Sequence, residues 1–480
     1  MIIFKNNTAL SRIIIALFSQ VITVLITLIS LPYLIALFGI KDYAIFGLFL
    51  TLQALSSIVE GGASVNVIKE VALHQMETSI KNSVITYKRI FYVSILLFFF
   101  AAIIVFFNWN YYIIEIIEFS LIIAFSLSLR LLTNFYKSIS FGFNRHNYVN
   151  IFSIFFYCLR FLLPIILGLS IKLYLYLQLF LFIVEFIYFK KLSPLNININ
   201  LLFDFNFRVV NSQKVIDENK FTKNIIILTV LSLIITNIDK LLLSVLGTQE
   251  DFGSFQAITN LSGGLLILLG PLNGVFQPLL ISVKSNNNLY LRLFNSYWLL
   301  LILGFGFISI FLLVFSEHIL KLWLGVEYEA KLLELFNYHL VFSFGISLMS
   351  FAYLHSLVNN KFEVYIKYVI SITLLITILY SLFFIFDLFV AAIFYGSIIS
   401  ILFSFVLLLK YGKKIFTTEL INKNYIVLIF TFISVLLITM SIFLNIDSTI
   451  ICYVGVMYLI FILFNLKLFV FLFNTFKNIL

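Results

Sequence analysis

The chain has 480 residues, of which 62% are hydrophobic and only 11% charged, with 58 Phe. Soluble domains carry about a quarter charged residues. This composition therefore excludes a water-soluble globular protein, and the uncharged apolar runs of roughly 20 residues that recur along it define an all-α polytopic membrane protein. The alternating segments of about 10 residues that mark a membrane barrel are absent. The net charge of +10 is read as loop lysines and arginines on the cytoplasmic side and implies no nucleic-acid partner.

In chain order, apolar runs set against charged breaks predict about 14 spans, near 13–38, 43–67, 89–107, 112–137, 147–169, 172–190, 224–246, 253–280, 293–315, 331–357, 364–386, 388–410, 425–445 and 449–472. The first follows Lys5 and Arg12, lacks a small-x-small cleavage site and is longer than a signal-peptide core, so it reads as an uncleaved helix. Both cysteines, Cys158 and Cys452, lie in apolar runs and read as core thiols. With the N-terminus placed in the cytoplasm, 22 of the 31 basic residues fall in or beside cytoplasmic loops. The opposite loops carry Lys41, Lys172, Lys321 and Lys331, while Arg130, Arg160, Lys240, Lys367 and Lys467 fall inside spans. The bias places both termini in the cytoplasm.

The long basic loop after span six divides the chain. The expected organisation is an N-terminal six-helix lobe (1–190), a cytoplasmic linker (191–223), a C-terminal six-helix lobe (224–410) and an extra C-terminal helix pair (411–480). A repeat crosses the divide. "LIALFGIKDYAIF" (34–46) aligns with "LLSVLGTQEDFGSF" (242–255), matching Gly39 with Gly247, Asp42 with Asp251 and Tyr43 with Phe252 across one inserted residue. Continued, the register sets Gly61 opposite Gly270, which Pro271 follows. Interrupted helices at equivalent places in two halves point to a transporter site, and an even number of spans per unit makes the repeat parallel.

Polar residues inside the spans carry the functional information. Arg12, Ala16, Gln20, Thr23, Thr27 and Ser30 share one face of span one, as Thr229, Ser232, Thr236, Asp239 and Lys240 do in span seven. Interhelical hydrogen bonding explains hydroxyls on such a stripe; the charged residue on each favours a water-accessible cavity between the halves. Arg160 lies near mid-bilayer, where a guanidinium costs several kcal/mol unless paired or hydrated. Pro164, four residues on, leaves the Arg160 carbonyl without its helical donor. Arg130 is a second candidate. Lys240 has a local ion pair with Asp239 as its competing explanation, and Lys367 has snorkelling at a helix end. Glu60, flanked by Gly61 and Gly62, reads as a coupling carboxylate in a helix able to flex, with a salt bridge to Arg130 or Arg160 as the structural alternative. Glu115, Glu118 and Glu185 are placed near span ends, and His339 and His355 are read as packed polar residues. No phosphate-binding glycine loop or metal-spaced Cys/His cluster occurs, so no cofactor and no enzymatic chemistry are expected.

Several stretches carry a resemblance: "LPYLIALFGIKDYAIFGLFLTLQAL", "IVEGGAS", "SISFGFNRHNYVN", "NIDKLLLSVLGTQEDFGSFQA" and "ILKLWLGVEYEA". In order and spacing they resemble the O-antigen (Wzx-type) flippases of the multidrug/oligosaccharidyl-lipid/polysaccharide (MOP) exporter superfamily, over roughly residues 10 to 360. Phe38-Gly39 and Tyr43-Ala44 depart mildly from that family's pattern. The resemblance implies a two-lobed carrier in the bacterial inner membrane. It would translocate undecaprenyl-pyrophosphate-linked repeat units by ion-coupled alternating access, beside the polymerase and chain-length proteins of the same pathway. Carried over, Arg130, Arg160 and Lys240, with Arg12 and Lys367, would attract the pyrophosphate. Glu60 and Asp239 would couple to ions, and Gly61, Gly62, Gly270 and Pro271 would supply flexibility. The rivals are a multidrug exporter of the same superfamily, which favours an acidic cavity, and an O-antigen polymerase, which favours a long periplasmic loop.

Overall fold

The structure is a computed structural model. It describes residues 9–415 except 61–62, 65–66, 69–70, 72–76, 144, 194–215, 326–329, 360 and 387. The last two predicted spans and the linker's central part lie outside the described residues. Among the described residues the regular structure is entirely helical, and ten of the helices are long and apolar enough to cross a membrane. The chain is a multi-pass helical membrane protein. Its outward-facing side chains fit that medium: Phe107 is 73% exposed and Ile166 76%, positions where a soluble protein would place polar groups.

The described residues cluster into two compact units, one running to Gln256 and one starting at Ala257. The first contains α1 (Ala9–Glu60), α2 (Glu77–Asn108), α3 (Ile113–Gly142), α4 (His146–Leu167), α5 (Ile171–Leu192) and α6 (Ile216–Leu246). It ends within α7 (Gln249–Ser262). The expected loop between spans one and two contracts to a single residue. Helix α1 continues through it except at Gly39, where φ 72° and ψ 160° break the hydrogen-bond ladder. That backbone conformation is open to glycine and strained for other residues. The matched Gly247 also stands at a break, between α6 and α7. Just after it, Thr248 Oγ1 donates to Asp251 Oδ2 (2.6 Å) and accepts from the Asp251 N–H (3.1 Å), an N-cap that starts α7.

Within this unit the C-terminal part of α1 lies against α7 with almost no space between them. A Cβ on Gly253 would sit 2.2 Å from the Ile40 carbonyl oxygen, and one on Gly47 would sit 2.5 Å from Gln256 Cγ. Gln249 Nε2 donates to the Lys41 carbonyl and to Tyr111 Oη, both at 2.8 Å, and Thr51 Oγ1 donates to Gln256 Oε1 at 3.2 Å. Small residues permit such backbone approach where lipid removes the hydrophobic drive for helix association.

The second unit contains α8 (Gly264–Ser282), α9 (Asn287–Leu299), a π-helical turn over Leu300–Phe305, α10 (Gly306–Val314), α11 (Ser316–Leu324), α12 (Ala330–Asn359), α13 (Phe362–Ile385) and α14 (Phe389–Ile415). The expected span 253–280 is two helices, α7 and α8, bent by 45° at Gly263. The bend thus falls seven residues ahead of Gly270, and α8 runs on through Gly270 and Pro271. Helices α12 and α14 meet at Gly345, where a Cβ would lie 2.3 Å from Ser400 Oγ. Several buried polar groups here bond neighbours: Tyr297 Oη donates to Asn273 Oδ1 and pairs with Ser350 Oγ, both at 2.6 Å. His339 Nδ1 meets Ser262 Oγ at 2.7 Å, and His355 Nδ1 meets Tyr290 Oη at 3.1 Å. Both histidines are packed polar residues.

Candidate functional site

Three helices of the first unit turn charged faces toward one another. On α3, Arg130, Asn134 and Lys137 recur at intervals of four and three residues, so they share a face. Tyr157 and Arg160 stand three apart on α4. On α5, Gln178, Phe182 and Glu185 repeat the spacing of α3. The charges meet at Glu185, whose side chain is 3% exposed. Its Oε1 lies 2.7 Å from Lys137 Nζ, and its Oε2 accepts from Arg160 Nη2.

Arg160 is held on several sides. Its guanidinium lies over the Phe182 ring, 3.7 Å from the centroid, a cation–π contact of about 0.5–2 kcal/mol. The carbonyl that Pro164 deprives of a helical donor accepts from Gln178 Nε2 at 3.1 Å. Arg160 Nε, although buried, finds no hydrogen-bond partner among the described residues. Arg130 is within electrostatic range of Arg160, Glu185 and Glu60. Its Nη1 donates to the Gln53 carbonyl at 3.2 Å, and no carboxylate among the described residues comes within 4 Å of it. Tyr157 Oη, on the Arg160 face, bonds Thr27 Oγ1 of α1 at 2.7 Å.

Glu60 forms a neighbouring, neutral-donor network. Tyr87 Oη donates to its Oε1 at 2.6 Å, and Asn134 Nδ2 donates to its Oε2 at 3.2 Å. The salt bridge to Arg130 or Arg160 weighed as an alternative does not form; a phenol and an amide hold this carboxylate. Asn134 shares the α3 face with Arg130 and Lys137, so the two carboxylate networks meet along one helix.

The other sequence-derived positions fall differently. Asp239 is fully buried on α6, and its Oδ1 accepts the Lys240 backbone N–H at 2.8 Å; the Lys240 side chain is half-buried. Lys367 is exposed one turn into α13, in the second unit. The side chains of Arg12 and Pro271, and Gly61 and Gly62 altogether, lie outside the described residues.

Two residues were misplaced by the sequence reading. Glu185 is not a helix-end acid reaching the interface. It sits seven residues inside the end of α5, on the face turned to α3, and is among the most buried charges in the unit. Lys137, counted with the cytoplasmic loops, belongs to the α3 face of the cluster. The signal was available: 130, 134 and 137 on one helix and 178, 182 and 185 on another are the same period read twice.

No family model matches the chain, and no curated protein matches it in sequence. Solved structures do match in fold. An inward-facing multidrug-resistance MATE-family transporter of the MOP superfamily aligns with a TM-score of 0.62 at 13% identity, covering 84% of this chain and 98% of its own. The lipid II flippase MurJ, in an inward closed conformation, aligns with a TM-score of 0.59 at 16% identity, covering 94% of this chain and 98% of its own. A MOP superfamily transporter from Pyrococcus furiosus, described by the reverse polarity of its binding pocket, aligns with a TM-score of 0.59 at 15% identity over 84% of this chain and 95% of its own. The architecture is therefore a polytopic helical membrane fold, the one these solved structures share.

Proposed function

We propose that the protein is a lipid-linked oligosaccharide flippase of the bacterial inner membrane, with both termini cytoplasmic. It carries undecaprenyl-pyrophosphate-linked O-antigen or similar repeat units from the cytoplasmic to the periplasmic leaflet by alternating access. The observation that carries this reading is the sign of the charge inside the first unit: Lys137 and Arg160 pair with Glu185, Arg130 lies in electrostatic range of Glu185 and Glu60, and the three cations outnumber the two carboxylates. A diphosphate moving through a low-dielectric interior needs fixed cations. Guanidinium groups supply them with donors that suit phosphate oxygens. Arg130, Arg160, Lys240, Arg12 and Lys367 are assigned to substrate, and Glu60 and Asp239 to ion coupling. Gly61, Gly62, Gly270 and Pro271 are assigned to helix flexibility. Residues 1–190 and 224–410 serve as the two six-helix lobes, 191–223 as their linker and 411–480 as the extra pair. Likeness to a lipid II flippase supports a lipid-linked substrate.

Multidrug export is the second reading, favoured by likeness to MATE transporters. An exporter of organic cations needs buried carboxylate in excess, which is the opposite balance to that of this cluster. The test is a strain lacking the gene. Flipping predicts complete lipid-linked repeat units trapped on the cytoplasmic face and surface polymer lost, with recovery by wild type and not by an equally abundant Arg160→Ala variant. Units that still reach the outer face unjoined would indicate a polymerase. An untouched glycolipid pool with altered drug sensitivity would establish the exporter.

A further inference from the structure

Among the described residues one carboxylate, Glu185, contacts the cations of the cluster, and the exposure of the three groups is uneven. Glu185 is 3% exposed, Arg160 13% and Lys137 19%. The carboxylate is thus the least accessible of the three groups, and the surface open to an approaching anion belongs to Lys137 and Arg160. The three groups stand on three helices, α5, α4 and α3, so the carboxylate can part from the cations by a side-chain movement. Arg160 Nε remains a buried donor with no partner among the described residues, and Arg130 adds a positive charge that Glu185 does not contact. Burying cations with no counter-charge is strongly unfavourable, since their mutual repulsion is poorly screened in a low-dielectric interior.

We propose that Glu185 is the internal counter-anion of this site. It holds Lys137 and Arg160 while no substrate is bound, and the phosphate oxygens of the substrate displace it from both. This rests on the anionic-substrate reading above and deepens it. Two consequences follow from electroneutrality. Substrate binding must overcome the Glu185 contacts, so the wild-type site is weaker than its cations alone would make it. After release, Glu185 returns to the cations, and the empty carrier reorients without bare positive charge in the membrane. The carboxylate thereby limits affinity and supports turnover.

The test uses the full-length purified protein in lipid nanodiscs, with inorganic pyrophosphate as the probe in a calorimetric titration. Glu185→Gln removes the competing charge and is expected to bind at least tenfold more tightly than wild type while complementing surface-polymer production poorly. Glu185→Asp keeps the charge on a shorter arm, preserves folding and is expected to bind with intermediate affinity. Unchanged or weaker binding in a folded Glu185→Asp or Glu185→Gln protein overturns the proposal and leaves the anionic-substrate reading standing, since pyrophosphate still binds. Pyrophosphate binding to none of the proteins, or binding that Arg160→Ala leaves unaltered, removes the anionic-substrate reading and this proposal with it.

Discussion

Gln178 of α5 donates its side-chain amide to the Arg160 carbonyl of α4, the one carbonyl of that helix that Pro164 leaves without a backbone donor. A proline-opened carbonyl costs free energy in a membrane unless something bonds it. Here the bonding group comes from the neighbouring helix and fixes α5 in register with α4. That register sets Glu185, two turns further along α5, beside Arg160.

Replacing Gln178 with Leu should therefore destabilise the unit by about 1–3 kcal/mol, the cost of an unsatisfied buried acceptor. Combining it with Pro164→Ala restores a helical N–H to the same carbonyl. The pair should lose much less stability than the two single changes summed. Thermal unfolding of the four proteins in detergent measures the coupling, and strict additivity would refute the account.

Arg160→Lys keeps the charge but loses the planar contact with Phe182 and the forked donors. It should remain folded and fail to restore surface polymer, because a point charge does not reproduce guanidinium geometry. Arg160→Ala should in addition lower stability by about 3–5 kcal/mol, the usual range when one member of a buried pair is removed; Lys137, still beside Glu185, favours the lower figure. Complementation with and without a stability assay separates the two effects. Full activity of the lysine variant would argue that charge alone suffices.

Tyr87→Phe removes the shorter of the two hydrogen bonds to Glu60 and leaves the ring packed against Phe135, whose centroid lies 4.9 Å away. Stability should fall by about 1–3 kcal/mol. Glu60→Gln should be milder for folding, since its amide can still accept from Tyr87. Vesicle transport driven by an imposed ion gradient distinguishes coupling from structure. The coupling assignment requires that Glu60→Gln transport become independent of that gradient, and a retained dependence counts against it.

The two close approaches between α1 and α7 make unequal demands. Gly253 faces backbone, the Ile40 carbonyl, which cannot move without shifting the helix. Gly47 faces the Gln256 side chain, which can swing aside. Gly253→Ala should cost several kcal/mol or abolish folded protein, while Gly47→Ala should cost about 1–3 kcal/mol, the range for overpacking. Expression and melting temperature of the two variants rank them; the reverse order would show that the Gln256 side chain is the more rigid contact.

What could be read from the sequence follows from what one-dimensional signals measure. Hydropathy located every described span, because bilayer thickness sets helix length. Pro164 announced an unbonded carbonyl at Arg160, although not that Gln178 would meet it. Arg130 and Arg160 were found as isolated charges in apolar runs, whereas Glu185 and Lys137 were missed. Both fall toward the ends of the spans predicted from hydropathy, 112–137 and 172–190, where depth in the membrane depends on where a helix starts and which way its face turns. The break at Gly39 was expected as a loop and is a single residue. The bend at Gly263 was not anticipated, although Thr259, Asn260, Ser262, Gly263 and Gly264 interrupt the apolar run there.

The facing of Gly47 with Gln256 bears on how the chain arose. In the repeat register, Ala44 corresponds to Gly253 and Gly47 to Gln256, and these corresponding positions touch across α1 and α7. Two identical subunits would have to place glycine against glycine there, leaving a gap, or glutamine against glutamine, with a collision. Having one chain lets one copy supply the bulk and the other the hollow. Whatever paired form preceded it, the present halves are no longer interchangeable, and a version built from two first halves should fail to assemble.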